Sequence, residues 1–107
     1  MSFLVYVTVP DETLAGELAH ALVGEGLAAG VNILPGARSI YRWRGEVHDT
    51  AECLLLAQVS RAALPAFEMA VKRLHSYEVP CIVAVPIEAG HEPFLNWIQE
   101  NSRPTSS

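Results

Sequence analysis

His75 and Cys81 flank a short stretch, Ser76-Tyr77-Glu78-Val79-Pro80, whose proline and polar residues mark a turn. An imidazole and a thiolate are the ligands that Cu(I) and Zn favour. Two ligands make an incomplete site, so a metal reading needs a third donor from a neighbouring subunit. The alternative gives both residues structural work, with His75 capping a helix C-terminus and Cys81 packing as a small hydrophobe. Tyr41, Trp43, Glu52, Tyr77 and Trp97 form a second set, aromatics around one carboxylate, suited to lining clefts between subunits. Tyr41, Trp43 and Trp97 equally fit the role of interface anchors, where aromatics are enriched.

Catalysis finds little support. There is no His-Glu-x-x-His pair, no glycine-rich phosphate loop and no nucleophile with its usual neighbours. His20, His48 and His91 read as solvated side chains on a helix or near turns, although His48-Asp49 could meet a metal at the surface. Cys53 reads as a core or interface residue. These residues predict a binding protein and not an enzyme, with no cofactor required.

The elements that must position them follow from periodicity. Phe3 to Val9 is almost wholly apolar or β-branched, a strand buried on both faces. Asp11 can cap a helix carrying Leu14, Leu18, Ala21 and Leu22 and closing near Gly24-Glu25-Gly26. From Leu27 to Ser60 two long strands are joined by a turn at Arg44-Gly45 and kinked at Pro35-Gly36. An arm of that length reaches roughly 45–50 Å, against a radius of gyration of about 13 Å for a compact domain of this size. The hairpin is therefore expected to project as an oligomerisation arm, with Tyr41 and Trp43 on one face and Arg42 and Arg44 on the other. A second helix lies between Ser60 and Ser76, a fourth strand covers Cys81 to Val85, and Pro93 starts a third helix. Residues 1–102 read as one domain and Arg103 to Ser107 as a frayed tail.

This order, strand-helix-strand-strand-helix-strand plus a C-terminal helix, is the ferredoxin-like α+β pattern. Two helices cover only one face of a four-stranded sheet. The strands are apolar on both faces, so the second needs neighbouring subunits. Half of the residues are hydrophobic, 18% are charged and the net charge is -5, which argues against nucleic acid and membrane surfaces as partners. The first strand is too short to span a bilayer and lacks basic residues before it, and the two cysteines have no C-x-x-C spacing. A cytoplasmic location is the expectation.

The chain resembles the CutA family, the divalent-cation tolerance proteins, from Val5 to about Glu100. The likeness rests on Thr8-Val9-Pro10, Leu27-Ala28-Ala29, Val31-Asn32-Ile33-Leu34-Pro35-Gly36, Ser39 through Val47, and Glu52. It continues through His75-Ser76-Tyr77-Glu78-Val79-Pro80, Pro86-Ile87, Gly90 and Leu95-Asn96-Trp97. The spacing of the Tyr-x-Trp-x-Gly and His-x-Tyr-x-x-Pro elements is specific when both occur together. The resemblance implies a homotrimer, ferredoxin-like and PII-like, whose hairpins wrap neighbouring subunits, and an association with tolerance of copper and other divalent metals. A PII-like trimer binding a small effector in its intersubunit clefts is the alternative function. Gly30 stands where relatives often have Cys, Gln58 where they have Lys, Ser76 where they have Pro, and Cys81 where many carry Glu. Losing Lys and Glu together is expected to remove a charged pair from the cleft, while Cys81 adds a soft metal ligand.

Overall fold

The computed structural model describes residues 1–104. Its elements run β1 (Ser2–Val9), α1 (Glu12–Gly24), β2 (Gly30–Trp43), β3 (Glu46–Ser60), α2 (Leu64–Leu74), β4 (Ile82–Ile87) and α3 (Glu92–Asn101). The strands form one antiparallel sheet in the order β2-β3-β1-β4. This is the expected ferredoxin-like α+β arrangement with a long β2-β3 hairpin and an added C-terminal helix.

Each helix starts for a local reason. Asp11 Oδ1 accepts the Leu14 N–H at 2.8 Å, satisfying one of the free donors of α1. Pro65 lies in the first turn of α2, where no N–H is needed, and Ser60 Oγ accepts the Ala63 N–H at 3.1 Å just before it. Lys72 and Arg73 occupy the last turn of α2, facing the negative end of its dipole.

Alternation along the strands then sorts the two faces. Val5, Val7 and Val9 of β1 join Cys53, Leu55, Ala57 and Val59 of β3 against Leu18, Leu22, Phe67 and Val71 of the helices, and all are buried. The opposite face carries Leu4, Tyr6, Leu54, Leu56, Val83 and Val85 by register. Helix α3 crosses this second face only at the Ser2/Ser60 end, where Gln99 Nε2 donates to Ser2 Oγ at 2.6 Å. Beyond it Tyr6, Val83, Val85 and Leu34 are exposed, so the apolar second face is real and largely uncovered within one chain.

The hairpin is as long as expected but does not stand out as a straight arm. Leu34 pairs with Leu54 and Ala37 with Glu52, so Pro35 and Gly36 together oppose Cys53 alone. This is a β-bulge, which bends and twists the strand that carries it, and Gly36 takes a φ of 80° there. The tip is a two-residue turn with Arg44 at φ 51° and Gly45 at φ 80°, the combination of a type I′ hairpin. The bent ribbon carries this tip back to its own chain, where an Arg44 Nη atom meets Glu78 Oε2 at 2.7 Å. The longest dimension of the molecule is accordingly 42 Å. The straight projection is corrected because counting residues gives contour length, and the bulge converts part of it into curvature.

At the other end, Ser102 is fully buried. Its Oγ accepts the Ser60 N–H at 2.8 Å and donates to Leu27 O at 3.0 Å, while Ser60 Oγ donates to Ser102 O. Arg103 Nε donates to Gln99 O at 3.1 Å; the rest of the expected frayed tail, from residue 105, lies outside the described residues. Ser102→Ala strands a buried donor and a buried acceptor, which costs about 1–3 kcal/mol. Denaturant unfolding is expected to show a lower midpoint with an unchanged slope, and an unchanged midpoint would show that water replaces the hydroxyl.

Candidate functional site

The bulge decides which side chains meet. Before it, even-numbered residues of β2 share the second face with Gln58, Leu56 and Leu54; after it, Ala37, Ser39, Tyr41 and Trp43 share that face with Glu52, Thr50, His48 and Glu46. The extra residue therefore reverses the alternation and places Tyr41 and Trp43 on the side of Glu52. With the hairpin bent over the end of the sheet, they roof a cleft of about 560 Å³ whose floor is Tyr6, Thr8, Glu52 and Cys81, with Tyr77 and Val79 from the α2-β4 connection alongside.

Of the sequence-predicted set, Tyr41, Trp43, Glu52, Tyr77 and Cys81 come together here within one protomer. Trp97 does not. It packs at the far end of the same sheet face, 5.1 Å from the Phe94 ring, and its edge lies over Gly30. A Cβ at Gly30 would fall 3.2 Å from Trp97 and 2.7 Å from Gln58 Oε1, so glycine there gives both side chains room. Gln58 Nε2 donates to Asn32 Oδ1 at 3.2 Å. Gln58 pairs with Leu4, whereas Cys81 lies next to the Thr8 end of β1, about 13 Å further along. The expectation that positions 58 and 81 would form one charged pair in the cleft is thus corrected by the register: they belong to opposite ends of the face. Tyr6 and Thr8 are cleft residues that the sequence reading missed, although alternation along β1 from core-facing Val5 and Val7 points to them.

His75 is buried and stands at the C-cap of α2 with its backbone N–H bonded to Val71 O, while its ring bonds elsewhere. Its Nε2 donates to Thr8 O at 2.7 Å and its Nδ1 accepts the Tyr77 N–H at 3.0 Å. Both ring nitrogens are committed to holding the end of α2 against β1 and setting the turn that presents Tyr77. A metal at Cys81 would have to do without this imidazole or break both bonds. Among the described residues no group of three His, Cys, Asp or Glu side chains is placed to hold a metal ion. A protomer alone therefore does not fit a closed transition-metal site. His48 instead stacks on its cross-strand neighbour Tyr41 with ring centroids 5.3 Å apart, His20 and His91 are exposed, and Cys53 lies in the core.

Glu52 is the electrostatic centre. It is only 7% exposed, and its Oε2 accepts the Tyr77 hydroxyl at 2.6 Å. Burial, reinforced by this bond to a carboxylate, pushes the Tyr77 phenol far up, so it stays a neutral donor. Burial also raises the Cys81 thiol, with the Glu52 charge adding to it and a hydrogen bond from Thr8 opposing it. Two ion pairs flank the cleft: Arg38 grips Asp49 through Nε at 2.9 Å and an Nη atom at 2.6 Å, and Arg44 holds Glu78. Both arginines are thereby neutralised, and Glu52 has no cationic partner among the described residues.

Alkylation requires the thiolate, so the raised pKa predicts a Cys81 pH–rate profile displaced above that of an ordinary cysteine near about 8.5. Glu52→Gln removes one of the raising causes and should move the profile down. Iodoacetamide labelling mapped by mass spectrometry, with Cys53 counted separately, checks this, and a parental profile at or below the ordinary value would contradict the placement of the thiol.

Comparison with known proteins agrees with this architecture. The family model described as CutA1 divalent ion tolerance protein matches residues 3–101. The divalent-cation tolerance protein CutA of Thermus thermophilus is 50% identical over 102 residues, covering 95% of this chain and 99% of that one. Its solved structure superposes with a TM-score of 0.93 over the same shares of the two chains. The chloroplastic CutA 1 of rice is 41% identical over 95% of this chain, which spans 58% of that longer protein. A structure named as the PII-like protein CutA from Nostoc, in apo form, is 27% identical with a TM-score of 0.89 and covers 96% of this chain and 99% of that one. A family match over almost the whole sequence, a half-identical relative matched nearly end to end and a shared ferredoxin-like fold lead to one conclusion: the chain belongs to the CutA family of divalent-cation tolerance proteins.

Proposed function

We propose that the protein works as a homotrimer in the cytoplasm, contributing to tolerance of copper and other divalent transition metals as a binding protein, without catalysis and without a resident cofactor. The observation that carries the assembly is the uncovered second face, on which Tyr6, Leu34, Val83 and Val85 are exposed beside the cleft. An apolar sheet face of this kind is stable in water when another subunit covers it, and the hairpin edge offers unpaired backbone groups to a neighbour. Metal is met weakly at Cys81, with Glu52 beside it and the remaining ligands supplied by a neighbouring subunit. Nucleic acid and membrane surfaces are not among the proposed partners, a reading supported by the net charge of -5.

A second reading is favoured by the cleft itself. It is formed by one protomer, is the size of small-molecule sites, and is lined by more aromatic than metal-ligating side chains. In that reading the trimer answers a small organic effector.

Native mass spectrometry at micromolar concentration is expected to show a trimer, and a monomer would overturn the assembly. Trp43→Ala should weaken the trimer by roughly 2–4 kcal/mol per anchor while the subunit keeps its secondary structure; an unchanged assembly would remove Trp43 as an anchor. For metal, a Cu(I) competition assay should give lower affinity for Cys81→Ser than for the parent and parental affinity for His75→Gln. Affinity should fall with pH as the thiolate is protonated. Equal affinities for parent and Cys81→Ser would sink the metal contact.

A further inference from the structure

Once the ion pairs at its rim are set aside, the cleft holds one buried carboxylate and a wall of rings. Glu52 Oε2 is taken by the Tyr77 hydroxyl, whereas Oε1 has no hydrogen bond among the described residues and is not sealed away from solvent. A mostly buried carboxylate with one oxygen open to the cleft is stabilised by a cation brought to that oxygen. Among the described residues none supplies one: Arg38 and Arg44, the arginines flanking the cleft, are paired with Asp49 and Glu78. Around it stand Tyr6, Tyr41, Trp43 and Tyr77. Aromatic faces attract cations, and Trp43 already shows this, with the Arg44 guanidinium carbon 5.3 Å from its ring centroid. Arg44 lies over the Trp43 ring and His48 stacks on Tyr41, and both rings also line the cleft.

We infer that the cleft binds a small protonated alkylamine, its ammonium donating to Glu52 Oε1 and its alkyl part packed against Tyr41, Trp43 and Tyr6. The inference rests on the effector-cleft reading and names its ligand class. The volume of about 560 Å³ admits such a molecule with solvent beside it, and it is many times the roughly 30 Å³ of one water. An anionic ligand would meet Glu52 with both arginines already engaged. A quaternary ammonium would satisfy the rings but give Oε1 no N–H, so a primary amine is preferred. The Tyr77 hydroxyl fixes the carboxylate in place before the ligand arrives, and the His75 bonds fix Tyr77.

The test uses the full chain in its assembled form, with n-butylammonium, n-butyltrimethylammonium and 1-pentanol as probes. Calorimetry is expected to show binding in the order primary ammonium, quaternary ammonium, alcohol. Glu52→Gln should weaken butylammonium by about tenfold to a hundredfold, as loss of a charge-assisted hydrogen bond implies. His20→Gln, at an exposed position of α1 outside the cleft, should leave it unchanged. Trp97→Phe leaves Trp43 as the only tryptophan of the two in the chain, and its fluorescence should respond to butylammonium. The parent comparison of ammonium with alcohol stands even where Glu52→Gln does not fold. Equal binding of pentanol and butylammonium, or amine binding that leaves Trp43 fluorescence unmoved, overturns the inference. A trimer that binds none of the three also overturns it while leaving the assembly and metal proposals in place, whereas a monomer would count against those proposals first.

Discussion

One extra residue in β2 governs the functional half of the molecule. Because side chains alternate with a period of two, a ribbon that ran from Gly30 to Trp43 without interruption would turn Tyr41 and Trp43 away from Glu52. Setting Pro35 and Gly36 against Cys53 reverses the alternation beyond that point and bends the ribbon. Cys53 itself stays buried in the helix-covered core. The same bulge thus lets β3 keep its core register, aims two aromatics at the carboxylate and brings the tip to Glu78. Gly36 makes it feasible, since its φ of 80° lies where side-chain-bearing residues are strained.

A second constraint comes from the α2-β4 connection. His75 spans the gap to β1 through one nitrogen and holds the backbone of Tyr77 through the other. Those bonds require one tautomer, with the proton on Nε2. The chain His75, Tyr77, Glu52 is therefore a positioning series that ends on a carboxylate, and the charge of that carboxylate adds to the burial that raises the Cys81 thiol.

Much of this was legible in the sequence, and the parts that were not share a physical cause. Helices and strands came from periodicity because burial imposes it: Leu18 and Leu22 on α1, and Val5, Val7 and Val9 on β1, are all buried as their spacing required. The bare second face followed from counting two helices against a sheet apolar on both sides. The kink at Pro35-Gly36 was visible, but its consequence for Tyr41 and Trp43 depended on how many residues of β3 face it, a pairing fact that a single strand does not carry. The same holds for Trp97, whose distance from the cleft is set by sheet register, and for positions 58 and 81, which sit at opposite ends of one face. His75 was read with two roles open because a ligand and a cap look alike in one dimension; neither reading gave its ring the bonds it makes, to Thr8 O and the Tyr77 N–H.

The uncovered face and the buried carboxylate lie on the same side of the sheet, and that shared side ties assembly to binding. In the proposed trimer, covering Val83 and Val85 with a neighbour would withdraw further water from the region around Glu52. A carboxylate in a drier site is costlier to leave unpaired, and any cation that reaches it interacts more strongly. A ligand that prefers the assembled form must in turn favour assembly by the same free energy, since binding linkage is reciprocal. The hairpin is the element through which both terms act. Tyr41 and Trp43 line the cleft on one face, and the strand that carries them has its outer edge free. In the proposed trimer, occupancy of the cleft by a cation and stability of the assembly would therefore be linked.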